Sequence, residues 1–243
     1  MNILQSSSGT ENKSTNHPDR VDDGIRRRSA IVNGSALAAT ALMARANAAL
    51  AQQTDQTAGS QPAPKPNPSV RRVVTGTDSR GRSHVLMDGN PTHVFGGFLT
   101  QVWVTERVPA SNTGTKDNAE RPQRLEPPPG GTQLVFFALA PQSASASVPP
   151  AEMEKNVAGM FEALGGSHAR VDTSRNVGMH KTKTVDYVIL LSGEVDLLLD
   201  DSEVHLKPSD IVIQRGTNHA WVNPGTETAL LAAVLIDAEP IGT

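Results

Sequence analysis

The sequence predicts an all-β fold, a small barrel or jelly roll with one packing helix, on three observations. Short runs rich in Val, Ile and Leu recur between residues 71 and 236, with turn residues between them. Several of the turns are tight, as at Asp88-Gly89-Asn90-Pro91 and Asp200-Asp201-Ser202. Only one stretch has apolar residues at helical spacing. Many short strands at regular spacing are typical of β-barrels and jelly rolls.

The strand patterns follow one another along the chain, and each ends at a turn or a loop. They cover residues 71–74, 84–87, 98–105, 133–139, 180–190, 194–200, 203–206, 209–213 and 229–236. A polar, Pro-rich loop over residues 106–131 separates two of them. A loop of that length usually has a function, so we expect it to cover the barrel mouth or to wrap around a second subunit.

One helix interrupts the strands. Its apolar residues recur three or four positions apart, Pro149-Pro150 precede them and Gly165-Gly166 end them. The residues of this stripe are Met153, Val157, Met160, Phe161 and Leu164. We expect the stripe to pack on the sheet and to carry no chemistry.

Composition limits the functions that the chain can have. With 243 residues, 37% hydrophobic and 19% charged, the chain can form one main globular domain. Residues 1–51 hold six Lys and Arg against four Asp and Glu, which leaves sixteen against twenty-one in the remainder. This mildly acidic remainder argues against nucleic-acid binding. Because the sequence has no cysteine, any metal must be held by nitrogen and oxygen.

The first 51 residues have the order of a bacterial export signal. Arg26-Arg27-Arg28 precede an alanine-rich apolar run over residues 30–43, and small residues at 46–51 resemble a cleavage site. The arginines suggest the twin-arginine type, which predicts a periplasmic or secreted protein. A disordered tail on a cytoplasmic protein is the alternative. The run is too short for a stable membrane span. Residues 52–70 are predicted to be a disordered Pro-rich linker, and residues 71–243 a single domain.

Two histidines and a carboxylate form the strongest functional signal. His180, Thr182 and Asp186 share residue parity, so in one extended strand their side chains point to the same face. His219 follows in the run Gly216-Thr217-Asn218-His219. Inside a small barrel His180, Asp186 and His219 could surround one point, a three-ligand metal geometry with open positions.

The residues around these side chains resemble the cupin superfamily. Its first motif has Gly, His-X-His, Glu and Gly at fixed intervals, and Ser174, His180, Thr182, Asp186 and Gly193 stand at those positions here. Its second motif begins with Gly-Asp and ends with Pro-X-Gly, His and Asn. The matching residues are Ser209-Asp210, Gln214-Arg215-Gly216, His219 and Asn223. The resemblance implies a single-domain, RmlC-like double-stranded β-helix and a homodimer.

The resemblance also implies a divalent metal, such as Fe, Mn, Ni or Zn, held by His180, Asp186 and His219. Thr182 replaces one histidine of the family pattern and Asp186 replaces the glutamate. Because aspartate is one methylene shorter, Asp186 either reaches the metal or orients a histidine ring from behind. Thr182 and Trp221 are predicted to contact the substrate.

Three functions follow from this pattern. The first is a metal-dependent enzyme, of the dioxygenase, isomerase or lyase kind, that acts on a small organic molecule. The second is a small-molecule-binding protein without metal or catalysis, which the replaced histidine favours. The third is a storage role, which a chain without duplicated domains favours least.

Overall fold

A computed structural model describes residues 70–241 of the chain. The predicted signal segment, residues 1–51, and residues 52–69 of the predicted linker lie outside the described residues.

The described part consists of eleven strands and one α-helix, so the predicted all-β fold with one packing helix is confirmed. The helix, α1, spans Pro150–Ala163. The strands, in order, are β1 (Arg72–Thr77), β2 (Ser83–Gly89), β3 (Val94–Phe95), β4 (Leu99–Thr105), β5 (Thr132–Leu139), β6 (Thr184–Ser192), β7 (Val195–Leu199), β8 (Glu203–Leu206), β9 (Ile211–Arg215), β10 (His219–Val222) and β11 (Ala229–Asp237). Within residues 70–241, no helix is both long enough and apolar enough to cross a membrane.

The strands form three antiparallel sheets. The larger sheet has the order β3-β4-β5-β11-β6-β9, and the smaller sheet has the order β10-β7-β8. Strands β1 and β2 form a separate hairpin. Because β6 and β7 are consecutive in sequence yet belong to different sheets, the chain passes from one sheet to the other at Gly193.

The main core lies where inward-facing residues of the two sheets meet. In β6 buried and less buried residues alternate, so Val188 and Leu190 face inward together with Asp186. They join Val195 and Leu197 of β7, and the rest of the cluster comes mainly from β5 and β11. Burying a Val or Leu side chain contributes about 1.5 to 3 kcal/mol, so this cluster is the main stabilising feature of the fold.

Helix α1 carries a second apolar cluster. Pro150 stands in the first turn, where the absence of an N–H costs nothing, and Gly165 follows the helix at φ 68°. The N–H of Gly166 donates to the carbonyl of Phe161 over 2.7 Å, which closes the last turn. The apolar stripe of the helix packs with Phe98, as predicted from its spacing. Helix α1 therefore ends abruptly, next to the larger sheet.

Strand β6 begins at Thr184, so the expectation of one extended strand from His180 onward is wrong. His180 instead forms an isolated bridge with His219 of the smaller sheet, in which each backbone N–H donates to the other's carbonyl over 2.9 Å. The N–H of Lys181 donates to Ala169, outside both sheets. Residues 181–183 therefore connect the smaller sheet to the larger one, and they separate His180 from Asp186.

The loop over residues 106–131 has no helix or strand, but it is held against the larger sheet. The buried Gln101 donates to the carbonyl of Ala119 over 2.7 Å, and Arg72 donates to Asp117 over 2.8 Å. The end of the loop is anchored by Gln133, which donates to the carbonyl of Arg124 over 3.1 Å. This end of the loop lies beside the cavity described below.

Two turns explain residues of the cupin-like motifs. Gly193 has φ 81°, and a Cβ there would lie 2.6 Å from the Cα of Ala229, so only glycine fits. Ser209 also has a positive φ, 80°, at the position where the family motif has glycine. A side chain in this conformation costs about 1 kcal/mol, so Ser209 is a strained position.

Candidate functional site

A cavity of about 160 Å³ lies beside the larger sheet, under helix α1. Most of its wall is apolar, and four aromatic side chains contribute to it. These are Phe98, Phe137, Phe161 and Trp221. The polar side chains of the wall are His180, His219, Asp186, Gln133 and Arg124. A cavity of about 150 Å³ is known to hold benzene, so this one suits a molecule of about one ring.

The two histidines form one wall of the cavity. Their backbone bridge brings the imidazole rings to a centroid distance of 4.3 Å with an interplanar angle of 45°. Phe161 of α1 lies 5.1 Å from the ring of His180, and Trp221 of β10 lies 5.5 Å from the ring of His219. Aromatic side chains therefore flank the pair on both sides.

Both imidazoles are oriented in the same way by the backbone. Nδ1 of His180 lies 2.9 Å from the carbonyl of Gly178, and Nδ1 of His219 lies 2.9 Å from the carbonyl of Thr217. A carbonyl only accepts, so each Nδ1 carries the proton and donates it. No residue of the described part hydrogen-bonds to either Nε2. In the neutral ring each Nε2 is therefore a hydrogen-bond acceptor available to a ligand of the cavity.

Burial keeps both imidazoles uncharged. Loss of solvent lowers the pKa of His180, against the opposing effect of its hydrogen bond to Gly178. Burial, and to a smaller extent the neighbouring His180, lowers the pKa of His219 to about 3. At neutral pH both rings are therefore neutral. A nitrogen that resists protonation is a weak base, but its lone pair remains free for a hydrogen bond or an electrophile.

Asp186 lines the same cavity from the larger sheet. It is 5% exposed and pairs across the strands with Gln214 of β9 and Leu235 of β11. Its Oδ1 is buried and has no hydrogen-bond partner among the described residues. Burial raises the pKa of Asp186 to about 6, although a hydrogen bond from Thr184 acts in the opposite direction. An unpartnered buried carboxyl oxygen is costly unless a ligand or a proton meets it.

A divalent metal, which the cupin fold implies, needs three or more protein donors within coordinating distance. In residues 70–241 no group of three or more His, Cys, Asp or Glu side chains is close enough to hold one. The histidine pair supplies two nitrogens, while Asp186 belongs to the opposite sheet. The described residues thus bring two histidine donors together without a third such donor nearby, so we derive no chemical step through a metal. The set His180, Asp186 and His219 stays a prediction.

The two predicted substrate contacts lie in different places. Trp221 lines the cavity with the histidines. Thr182 is not among the residues that line it. Its buried hydroxyl forms a hydrogen bond with the hydroxyl of Thr184 over 2.7 Å. It borders a separate surface pocket that also includes Glu126 and His168. A substrate contact by Thr182 therefore stays a prediction, without support from the cavity that holds the histidines.

Two parts of the cavity wall were missed by sequence reasoning. The helical stripe, expected to carry no chemistry, provides Met160, Phe161 and Leu164 to the wall. The loop over residues 106–131 provides Arg124 and Leu125. No sequence signal distinguishes a helix that covers a cavity from one that packs on a solid sheet, because the apolar spacing is the same. For Arg124, the length of the loop was the one feature of the sequence that indicated a functional role.

Comparison with known proteins identifies the family. No family model matches the chain. Phomopsin biosynthesis cluster protein D of Diaporthe leptostromiformis is 30% identical over 190 residues, which cover 73% of this chain and 85% of that protein. A cupin-domain-containing oxidoreductase of Hypocrea virens, virC, is 35% identical over 77 residues, 29% of this chain and 40% of that protein.

Two of the solved structures that resemble the chain are described as cupin proteins. A cupin superfamily protein of Desulfitobacterium hafniense is 14% identical with a TM-score of 0.27, over 43% of this chain and 66% of that chain. A cupin 2 conserved barrel protein of Salinispora arenicola is 22% identical with a TM-score of 0.28, over 50% and 79%. Family membership rests on the sequence relatives and on the strand arrangement. The chain belongs to the cupin superfamily.

The expectation of a bacterial, twin-arginine-exported periplasmic protein is wrong. The sequence relatives named above come from fungi, as do an oryzines biosynthesis cluster protein of Aspergillus oryzae, 41% identical over 64 residues, and further cupin-domain-containing oxidoreductases. The pattern at residues 26–51 consisted of a short arginine run before an alanine-rich stretch. Such a stretch arises from composition alone, so it carried too little information to identify an export system.

Proposed function

We propose that this chain is a cupin enzyme that acts on a small, mostly apolar organic molecule bound in the cavity. One observation carries the proposal: two neutral imidazoles, each with a free Nε2, stand together in an otherwise apolar and aromatic wall. Concave apolar sites with a few convergent polar groups are the usual form of small-molecule sites. A polar group of the substrate would lie against His180 and His219, and its apolar body against Phe161 and Trp221.

The relatives support an enzyme of small-molecule biosynthesis. Several are described as cupin-domain-containing oxidoreductases, and others as proteins of phomopsin or oryzines biosynthesis clusters. We therefore propose an oxidoreductase first, with isomerase or lyase chemistry as further possibilities for the same cavity. A divalent metal bound with the help of His180 and His219 stays part of this proposal, because hydrogen bonds from Nδ1 to a carbonyl are typical of metal-binding histidines.

A non-catalytic binding protein is the second candidate. It is favoured by the absence of any three-donor group in residues 70–241, since two histidines alone hold a metal weakly. In this case the same cavity binds the organic molecule, and the histidines serve only as hydrogen-bond partners.

Metal content and ligand binding distinguish the two candidates. The full chain, purified without chelator, is compared with His180→Ala, His219→Ala and the control His84→Ala, which changes an exposed residue of β2. Near-stoichiometric iron, manganese, nickel or zinc that is lost in the first two variants only would support the metal-dependent enzyme. A metal-free protein that binds one-ring molecules, and gains nothing from added metal, would support the binding protein. Failure of one-ring molecules to bind at all would contradict both.

We also propose a homodimer, which the cupin family implies. Large apolar side chains are exposed on neighbouring strands of the larger sheet, including Tyr187 of β6 and its cross-strand partner Ile213 of β9. Such patches usually mark interfaces. Light scattering should give twice the chain mass of 25.7 kDa, and Ile213→Lys should lower it. A monomeric mass for the unchanged protein at micromolar concentration would refute the dimer.

A further inference from the structure

Arg124 is the one cationic side chain in the cavity wall, and it stands at the exposed edge of that wall. Most arginines of the described part pair with a carboxylate, as Arg170 does with Glu154 and Arg175 does with Glu203. The guanidinium of Arg124 makes no hydrogen bond or ion pair with any residue between 70 and 241. Its five donors are therefore free at the place where the cavity opens.

The backbone at this position is fixed although the side chain is free. Gln133, 3% exposed on β5, donates to the carbonyl of Arg124 over 3.1 Å. The next residue, Leu125, donates its N–H to the carbonyl of Leu164 at the end of α1 over 3.0 Å. The loop is thus tied to the sheet on one side and to the helix on the other. A residue held in this way presents its side chain at a defined place, which favours recognition over random exposure.

The end of the helix leaves room for the guanidinium. Gly165 follows α1, and a Cβ at this position would lie 3.1 Å from Nη1 of Arg124. The absence of a side chain at Gly165 therefore lets the guanidinium lie close to the helix end and beside the cavity wall. A planar guanidinium binds a carboxylate through two parallel hydrogen bonds, and beside an apolar surface such a pair is stronger than in open water.

We propose that Arg124 is the specificity-determining residue of this site and that it selects substrates with a carboxylate group. This inference depends on the proposed function, because it assumes that the cavity binds an organic molecule. The substrate is then an acid of about one ring in size, with its carboxylate at Arg124 and its apolar body in the cavity. Two different polar groups, Arg124 at the opening and the histidine pair in the wall, would fix its orientation.

A purely structural role for Arg124 makes a different prediction. A cation near the carboxyl end of a helix is stabilised by the helix dipole, and α1 ends beside this guanidinium. In that case, replacing Arg124 would lower the stability of the protein and would affect charged and neutral ligands equally. In our proposal the loss falls on acids alone.

The test compares benzoate with its neutral isostere benzamide, using the full chain and NMR titration. The variants are Arg124→Gln, Arg124→Lys and the control Arg107→Gln, an exposed arginine of the same loop that also has no ion-pair partner among residues 70–241. We expect wild type to bind benzoate about 10-fold more tightly than benzamide. Arg124→Gln should abolish this preference while benzamide affinity stays within about 2-fold, and Arg124→Lys should retain part of it. Arg107→Gln should change neither.

Each other outcome overturns the inference in a recognisable way. Equal binding of benzoate and benzamide by wild type would overturn the role of Arg124 and leave the proposed function intact. Loss of both ligands in Arg124→Gln, together with a lower unfolding midpoint, would assign Arg124 to the helix end. Failure of benzoate, benzamide and toluene to bind wild type would overturn both the inference and the proposed function.

Discussion

The two walls of the cavity respond to burial in opposite ways. On the smaller sheet, loss of solvent lowers the pKa values of His180 and His219, so these bases stay unprotonated. On the larger sheet, loss of solvent raises the pKa of Asp186, so this acid holds its proton to higher pH. In both cases burial penalises the charged form, and the result is a cavity whose buried polar groups tend toward neutrality. The cationic side chain of the wall is the guanidinium of Arg124 at its edge.

The pKa shifts on the two walls predict opposite contributions to the pH dependence of the free energy of unfolding. An unfolded histidine is protonated below its ordinary pKa of 6.5, whereas folded His219 resists protonation down to about 3. An unfolded aspartate ionises above 3.8, whereas folded Asp186 holds its proton up to about 6. As pH falls from 6 to 4, the contribution of His219 to the free energy of unfolding is lost. Over the same range the contribution of Asp186 is gained, so the two partly cancel in wild type.

Among these variants, His219→Gln should change the pH dependence of the free energy of unfolding most. The contribution of His219 is present above pH 6.5 and is lost as pH falls toward 3, by up to about 5 kcal/mol. In His219→Gln this loss disappears, so the free energy of unfolding should decrease less between pH 7 and pH 4 than in wild type. Urea unfolding at several pH values measures the slope. His84→Gln serves as the control, and an unchanged slope in His219→Gln would contradict the burial of a neutral imidazole.

Asp186→Asn should have the second largest effect, with the opposite sign. Above pH 6 the folded protein holds a buried carboxylate, and an amide of the same shape removes that cost while its oxygen still accepts from Thr184. We expect a gain of up to about 3 kcal/mol at pH 8 and almost none below pH 4, where the acid is neutral in both states.

The matched control for this change is Asp201→Asn, which alters an exposed residue of the β7–β8 turn. It should have a small effect that is similar at both pH values. A loss of stability in Asp186→Asn at pH 8 would mean that the carboxylate is satisfied by a partner outside the described residues, such as a bound cation.

Ser209→Gly should have the smallest effect and should not depend on pH. Ser209 precedes β9, its N–H donates to the carbonyl of Leu190 over 2.8 Å, and its φ of 80° suits glycine better than serine. We expect a gain of about 1 kcal/mol or less, because relief of strain is partly offset by the greater freedom of glycine when unfolded. This variant changes the backbone before β9, the strand that pairs with the strand of Asp186, without a change in charge. A gain that varies between pH 4 and pH 8 would show that backbone relaxation alters the ionisation of Asp186.

Local patterns were sufficient to predict most of the secondary structure. Short apolar runs bounded by turn or loop residues indicated β4, β5 and β11 to within one or two residues, because such runs are typical of strands. The helix was predicted from its stripe and its flanking Pro and Gly residues. The short strand β3 was missed, because two residues carry no period.

The cavity shows the limit of this reasoning. Residue spacing indicated that His180, Asp186 and His219 belong to one region, and all three line the same cavity. Parity alone could not reveal that the chain changes sheets between His180 and Thr184, since parity has meaning only within one continuous strand. The bridge to His219 depends on a pairing between segments almost forty residues apart in the chain. No local pattern specifies such a pairing.

The sequence by itself determined the kinds of element, the turn glycine at 193 and the identity of the polar residues, because these depend on neighbours along the chain. The tertiary structure decided which residues share the cavity, that helix α1 covers it, and that Arg124 stands free at its edge. It also decided the protonation of the histidines and of Asp186. Desolvation depends on the atoms that surround a group from all sides, and most of those atoms come from distant parts of the chain.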